Sequence, residues 1–321
     1  MARCIHVILT GLLGWCTSAS GLTIANTYVA FDADPWLSDQ SLYASPATRD
    51  RIGRIIVPVW VNGQGPFRFV VDTGANKSLL SPALIEKLAL PLSVERPINV
   101  NGVTGSAVAP AVLIHSLEAG AMRLMDRRLP VLGGMMTDVD GVLGVDGLKG
   151  KRIVIDFATH YVEITESSGK RAPPEFLVVP AKLRFGQLLV TRARVGKVKV
   201  KAVIDTGAQA TLGNTRLQEV LGIGAGSRVS TVPTTVEGVT SLQQPAEMAA
   251  APDIAFGNSV LTNVIVTFGE IYVFKLWGLD REPAIIVGMD VLGTLNQLVI
   301  DYRRREVQML PSRAVRTSRQ P

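Results

Sequence analysis

Apolar and polar positions alternate over short distances in this chain. From about residue 52 onward, aliphatic and β-branched residues come in brief runs broken by Gly and Pro. That pattern predicts mostly strands and turns, with few and short helices. Residues 55–61 lead through Asn62-Gly63-Gln64-Gly65 into 66–71, a strand–turn–strand unit. Residues 187–195 pass Gly196-Lys197 into 198–204 as a second such unit, alternating cleanly enough to give one polar face. After each unit a short helix is expected. Ser81 caps the first with Pro82 in the first helical position, and Asn214 opens the second, which closes on Gly222.

The two units also end alike. Val70-Val71-Asp72-Thr73-Gly74-Ala75 in the first half becomes Val203-Ile204-Asp205-Thr206-Gly207-Ala208 in the second. Each copy reads as a buried strand opening into a tight turn, for which Gly is expected to supply positive φ. The parallel continues with Gly102-Val103-Thr104 and Gly238-Val239-Thr240 at expected hairpin tips, then Val142-Leu143-Gly144 and Ile286-Val287-Gly288. A strand ending in an acid and an aromatic follows each, at Asp156-Phe157 and Asp301-Tyr302. Asp72 and Gly144 are 72 residues apart, Asp205 and Gly288 83, and the surplus is expected in surface loops such as 271–283. Asp146 and Asp290 are expected to cap the turns that follow the apolar-Gly segments. Asp156 and Asp301 are read as structural. One Asp-Thr-Gly is a weak signal, more often a turn than a site; two copies at matching places in a long repeat are a strong one.

Composition fits two lobes. The chain has 321 residues, 47% hydrophobic and 19% charged, enough to fold and to give each lobe a core. The domain reading is an export signal at 1–25, an arm or linker at 26–51, a first lobe at 52–166, a linker at 167–174, a second lobe at 175–310 and a basic tail at 311–321. Arg3 followed by a short apolar stretch and small residues defines the signal. Residues 26–51 read as a linker, a short pro-segment or an edge strand. Cys4 and Cys16 both lie in the signal, so the processed chain has no disulfide framework, Cys nucleophile or thiolate metal site. The expected location is exported, in the periplasm or cell envelope, soluble after signal cleavage or tethered if the signal stays. The +6 charge and the arginines near the C-terminus read as a solvated tail, with weak contact to an anionic membrane surface as the alternative.

These segments resemble the retropepsin-like and pepsin-like aspartic peptidases. In that superfamily each lobe contributes a hydrophobic-hydrophobic-Asp-Thr/Ser-Gly loop, around which a later hydrophobic-hydrophobic-Gly segment packs. The resemblance runs from about residue 52 to 310. The Ala after Gly in both copies is more like retropepsins, whose site forms between two identical chains. It implies a mostly β, bilobal acid-protease fold, two pseudo-twofold β-barrel lobes with short helices, and a monomer whose lobes pair within one chain. Asp72 and Asp205 would be the catalytic pair, with Thr73 and Thr206 bonded across the lobes and Gly74 and Gly207 letting backbone N–H groups approach the carboxylates. Neither hairpin tip has the Tyr of pepsin flaps; Gly102, Val103, Thr104, Gly238, Val239 and Thr240 are nonetheless the expected flap and cleft residues, with an ordinary β-turn as the alternative.

Two carboxylates in contact share one proton, so one can activate water while the other polarises a carbonyl. Ala75 and Ala208 lack the hydroxyl with which a Ser would lower the pair's pKa, which predicts activity at mildly acidic to near-neutral pH. The expected partner is a protein or peptide substrate. His115 and His160 stand alone, so no metal and no cofactor are expected. No nucleic-acid motif, phosphate loop or Ser-His-Asp pattern is present. The alternative to an endopeptidase is a catalytically weak peptide-binding module on the same scaffold.

Overall fold

A computed structural model describes residues 45–46, 48–49, 53–133, 138–186, 188–224 and 226–312. The expected export signal with both cysteines, most of the 26–51 arm and the basic segment after residue 312 lie outside the described residues.

Strands dominate. Ile55–Val61 and Gln64–Val71 form a hairpin that turns at Asn62 and Gly63, with φ of 51° and 74°. A two-residue hairpin needs such left-handed residues, and Asn and Gly tolerate them best. Leu188–Val195 and Val198–Ile204 form the matching hairpin. In each half the second strand runs parallel to a later one, with Val71 beside Leu143 and Ile204 beside Val287. A short strand then lies on the far side of that later strand, Leu79–Leu80 in one half and Leu212–Asn214 in the other. The chain therefore leaves the sheet at Asp72 or Asp205, loops across the end of the later strand, and re-enters beyond it. That topology hangs each acidic loop at the end of buried strands.

Two helices follow the re-entrant strands. Pro82–Lys87 is capped by the Ser81 hydroxyl, which accepts from Leu84 N–H at 3.1 Å, and Thr215–Val220 by the Asn214 carboxamide, which accepts from Leu217 N–H at 2.9 Å.

The halves are joined by a shared sheet. Lys151–Asp156 and Leu295–Asp301, the strands after the two apolar-Gly segments, pair antiparallel with Val154 opposite Val299. Tyr161–Glu166 and Glu306–Pro311 flank them. Leu177–Arg184 pairs first with Glu306–Pro311 and then with Leu188–Val195. Ser45–Pro46 and Thr48–Arg49 make the same two pairings in the first half, with Tyr161–Glu166 and Ile55–Val61. The repeat thus begins before residue 52, and the end of the arm is edge strand. Between the halves, 167–173 is irregular, and Ser167 is buried against Asp301, whose carboxylate its hydroxyl bonds.

One apolar core runs through both halves, from Val57 and Phe69 to Phe256 and Val307. Two smaller layers face the space between the hairpins: Val70, Leu79 and Val142 in the first half, Val203, Leu212 and Ile286 in the second. The second layer is larger because Ile271, Val273, Phe274 and Leu279 join it. This corrects the surface-loop reading of 271–283. The stretch contains a helix, Tyr272–Leu276, and those four apolar residues are at most 5% exposed because one face of the turn is pressed onto the sheet.

Candidate active site

The floor of the site is built by two threonines that exchange bonds across the halves. Thr73 N–H donates to Thr206 Oγ1 (3.2 Å) and Thr206 N–H to Thr73 Oγ1 (3.1 Å). The hydroxyls in turn donate to the strand opposite, Thr73 Oγ1 to Ile204 O (2.8 Å) and Thr206 Oγ1 to Val71 O (2.7 Å). A hydroxyl donates and accepts at once, which is what this double exchange requires. Thr73 is 2% exposed and Thr206 0%, so no water competes. Below them, Asp72 N–H bonds Leu143 O and Asp205 N–H bonds Val287 O, which fixes the height of each acidic loop on its own sheet.

The two carboxylates meet above this floor, each pressed against the glycine of the opposite loop and close enough to perturb the other's ionisation. Asp72 Oδ1 accepts from Gly74 N–H (2.8 Å); Asp205 Oδ1 accepts from Gly207 N–H (2.9 Å) and Ala208 N–H (3.2 Å). Neither Gly74 nor Gly207 has positive φ, contrary to the sequence expectation. What excludes a side chain is approach from the other half: a Cβ on Gly74 would overlap the Asp205 carboxylate, and one on Gly207 would overlap that of Asp72. Glycine is required twice by the same contact.

Burial sets the electrostatics. Asp205 is 5% exposed, and its carboxyl is pushed well above the usual carboxylate range, by burial first and by the charge of Asp72 second. Burial also raises Asp72, opposed by the hydrogen bond from Asp205, the N–H groups of Gly74 and Ala75, and the charge of Arg54. The pair holds its shared proton to higher pH than an ordinary carboxylate does.

A second tier of contacts was not anticipated from the sequence. Ser78 N–H and Oγ donate to Asp146 Oδ1 (3.1 and 2.8 Å); Thr211 N–H and Oγ1 donate to the Asp290 carboxylate (2.9 and 2.7 Å). The same hydroxyls accept from Gly144 N–H and Gly288 N–H. Neither acid is the N-cap residue of its turn, which is Gly144 or Gly288 with no side-chain cap bond. Asp290 Oδ1 also accepts from Val291 N–H (2.9 Å) in the first turn, so the capping expectation holds there and not at Asp146. They lie inside those turns and face the acidic loops, which they tie to the apolar-Gly segments. Burial raises the Asp146 carboxyl, with the Ser78 bonds opposing. The signal was present in the chain: a hydroxyl residue stands six positions after each loop Asp, and an Asp two positions after each apolar-Gly.

Two hairpins roof the floor. Leu92–Asn101 and Ser106–Ala119 turn at 102–105, and Val232–Glu237 and Gln243–Ala250 turn at 238–242. Their tips touch: a Cβ on Gly102 would lie 3.2 Å from Val239 Cγ1, and one on Gly238 3.0 Å from Thr104 Oγ1. Between roof and floor is a cavity of about 600 Å³. Asp72, Asp205, Gly74, Gly207, Ala75 and Ala208 line it from below, and Gly102, Val103, Gly238 and Val239 from above. Thr104 and Thr240 do not line it, and Thr73 and Thr206 lie beneath. Val70, Leu79, Val142 and Leu212 make much of the wall apolar. Among the described residues no group of three or more His, Cys, Asp or Glu is placed to hold a metal, and no helix is long and apolar enough to cross a membrane.

Fold and site together define a bilobal β protein with one Asp-Thr-Gly loop from each half at a common floor. The chain belongs to the aspartyl protease family: the family profile matches residues 57–146 and again 191–291, once per half and more than half of the chain in all. Both matches have the retropepsin-like form, as the sequence implied. Comparison with curated proteins gave no match.

Proposed function

We propose that this chain is an aspartic endopeptidase in which Asp72 and Asp205 hydrolyse peptide bonds within one chain. The observation that carries the reading is the pair of facing carboxylates at the floor of a roofed, partly apolar cavity of about 600 Å³, which supports binding of an extended peptide. With one proton shared, the ionised carboxylate takes a proton from water as the oxygen attacks the scissile carbonyl carbon. The protonated partner gives its proton to the carbonyl oxygen, forming a neutral gem-diol. A proton then passes to the amide nitrogen, the C–N bond breaks, and the pair returns to its singly protonated state. The crossed threonine bonds hold both acids in place through this cycle. The substrates are proteins or peptides of the periplasm or cell envelope, cut at a limited number of sites by a monomer.

The test is cleavage of a diverse peptide library by the chain from about residue 26, scanned across pH beside Asp72→Asn and Asp205→Asn. Loss of activity by at least a thousandfold in either variant is expected, since each removes one half of the acid–base pair. Activity should peak at mildly acidic to near-neutral pH. It falls below the peak when both acids are protonated and above it when the shared proton is lost, and burial moves that window upward. A maximum below about pH 3 would contradict the pair. Peptide binding by folded wild-type protein without cleavage at any pH would favour the binding module.

A further inference from the structure

The roof of the cavity is not held by each half alone. Each tip sends a half-buried valine against the apolar layer of the opposite half: Val103 packs on the layer that contains Val203, Leu212 and Ile286, and Val239 on the layer that contains Val70, Leu79 and Val142. The first tip is also hydrogen-bonded to the second half. Val273 N–H, in the first turn of the Tyr272–Leu276 helix, donates to Val103 O at 3.0 Å. The Tyr272 hydroxyl reaches Asn101 Oδ1 at 3.3 Å, on the residue just before the tip. The helix is itself anchored. Tyr272 N–H donates to Gln244 Oε1 (2.9 Å) on the second hairpin, Phe274 is 2% exposed in the core, and Trp277 stacks on Phe185 with ring centroids 5.4 Å apart.

From this we infer that Tyr272 and Val273 are positioning residues for the reaction: they latch the first hairpin tip over the carboxylate pair from the opposite half. The inference rests on the endopeptidase reading for its kinetic consequence, but the latch exists in the ligand-free chain and can be read there. Three features make it more than a packing contact. The bond to Val103 O is made by a backbone N–H that the first turn of a helix leaves without an intrahelical partner, so the helix start is the donor. Asn101 and Val103, the two residues held, both line the cavity. Val273 and Leu276 line it as well, so a substrate side chain packed there bears on the same turn that holds the tip. To admit a peptide the tip must lift, breaking these bonds; to catalyse, it must return to them.

The sign of the kinetic effect follows. The latch is made in the free protein and again around bound substrate, so its loss largely cancels from ground-state binding. It does not cancel where the tip must be held over the reacting atoms. Tyr272→Phe and Asn101→Ala each delete the hydroxyl–carboxamide contact from one side. Tyr272→Phe keeps the ring, so folding is not at stake.

The first readout is amide hydrogen exchange of the ligand-free protein. Each variant is expected to speed exchange at 101–105 and at the Val273 N–H by about three- to tenfold, the worth of one modest hydrogen bond, with 238–241 unchanged. The double variant should be no faster than the singles, because both remove the same contact. The second readout is turnover of a peptide found in the library scan, where kcat should fall about three- to tenfold with KM within twofold. Exchange at Val273 and 101–105 equal to wild type in both variants would overturn the latch. So would a raised KM with kcat unchanged, which is the mark of a passive wall. If wild type cleaves no peptide, the endopeptidase reading fails while the exchange result still decides the latch.

Discussion

At the scale of single residues, burial makes the acidic pair a thermodynamic burden as well as a chemical tool. In the unfolded chain both acids release their protons near pH 4. In the folded chain the Asp205 carboxyl holds its proton to distinctly higher pH, because burial and the neighbouring Asp72 both oppose its charge. Between those two values the folded form binds a proton that the unfolded form has lost, so stability falls as pH rises through the window. Above it the full cost of the buried charge is present. Asp205→Asn removes that charge and keeps the shape, so it should inactivate the protein and also make it more stable than wild type at pH 7. The gain should vanish below about pH 4, where wild type is protonated in both states. Urea unfolding of both proteins at pH 3.5 and 7 measures this. A variant less stable than wild type at pH 7 would mean that the carboxylate bonds to Gly207 and Ala208 outweigh its burial.

At the scale of elements, Asn214 shows how one side chain serves two. Its Oδ1 accepts from Leu217 N–H as a helix cap and from Ala284 N–H at 3.2 Å; its Nδ2 donates to Leu279 O (2.6 Å) and Glu282 O (2.7 Å). It is 2% exposed, and Leu217, Leu279 and Ala284 are at most 1% exposed, so Asn214→Ala would strand their groups away from water, while the bond to Glu282 O is only part-buried. Loss of a cap and of a buried acceptor's partner should destabilise the protein by roughly 2–4 kcal/mol, read as a lower urea midpoint at unchanged slope. The cap was legible in the sequence, as were the strand–turn–strand units, the hairpin tips and the repeated Asp-Thr-Gly, because each is written in neighbouring residues. The bonds to Leu279 and Glu282 were not, since their partners lie 65 and 68 residues away. The same limit hid the Ser78–Asp146 and Thr211–Asp290 ties, and it gave Gly74 the wrong reason. A glycine before a turn suggests a backbone angle, whereas the constraint comes from a carboxylate in the other half. The 271–283 stretch was misread as surface because its apolar residues have no long period; a five-residue helix is too short to show one.

At the scale of the whole molecule, the two halves should unfold together although each carries its own repeat. Their boundary is a paired sheet with an apolar interior. Ile153 and Val154 on one central strand, and Leu298, Val299 and Ile300 on the other, are at most 6% exposed, and the core runs through both halves without a break. Fully exposing one such side chain costs about 1.5–3 kcal/mol. Uncovering even part of this set when one half unfolds alone would cost on the order of 5–10 kcal/mol, comparable with the entire stability of a typical domain. The crossed threonine bonds add four hydrogen bonds that a lone half cannot make. A state with one half folded should therefore not accumulate. Of the four tryptophans, Trp60 lies in the first half and Trp277 in the second, so variants with Trp15 and Trp36 replaced and only Trp60 or only Trp277 retained report each half separately. Their fluorescence transitions in urea should coincide with each other and with the loss of far-UV circular dichroism at one midpoint. Two separated midpoints would mean that the shared sheet couples the halves less tightly than its burial implies, and that each half folds as an independent unit.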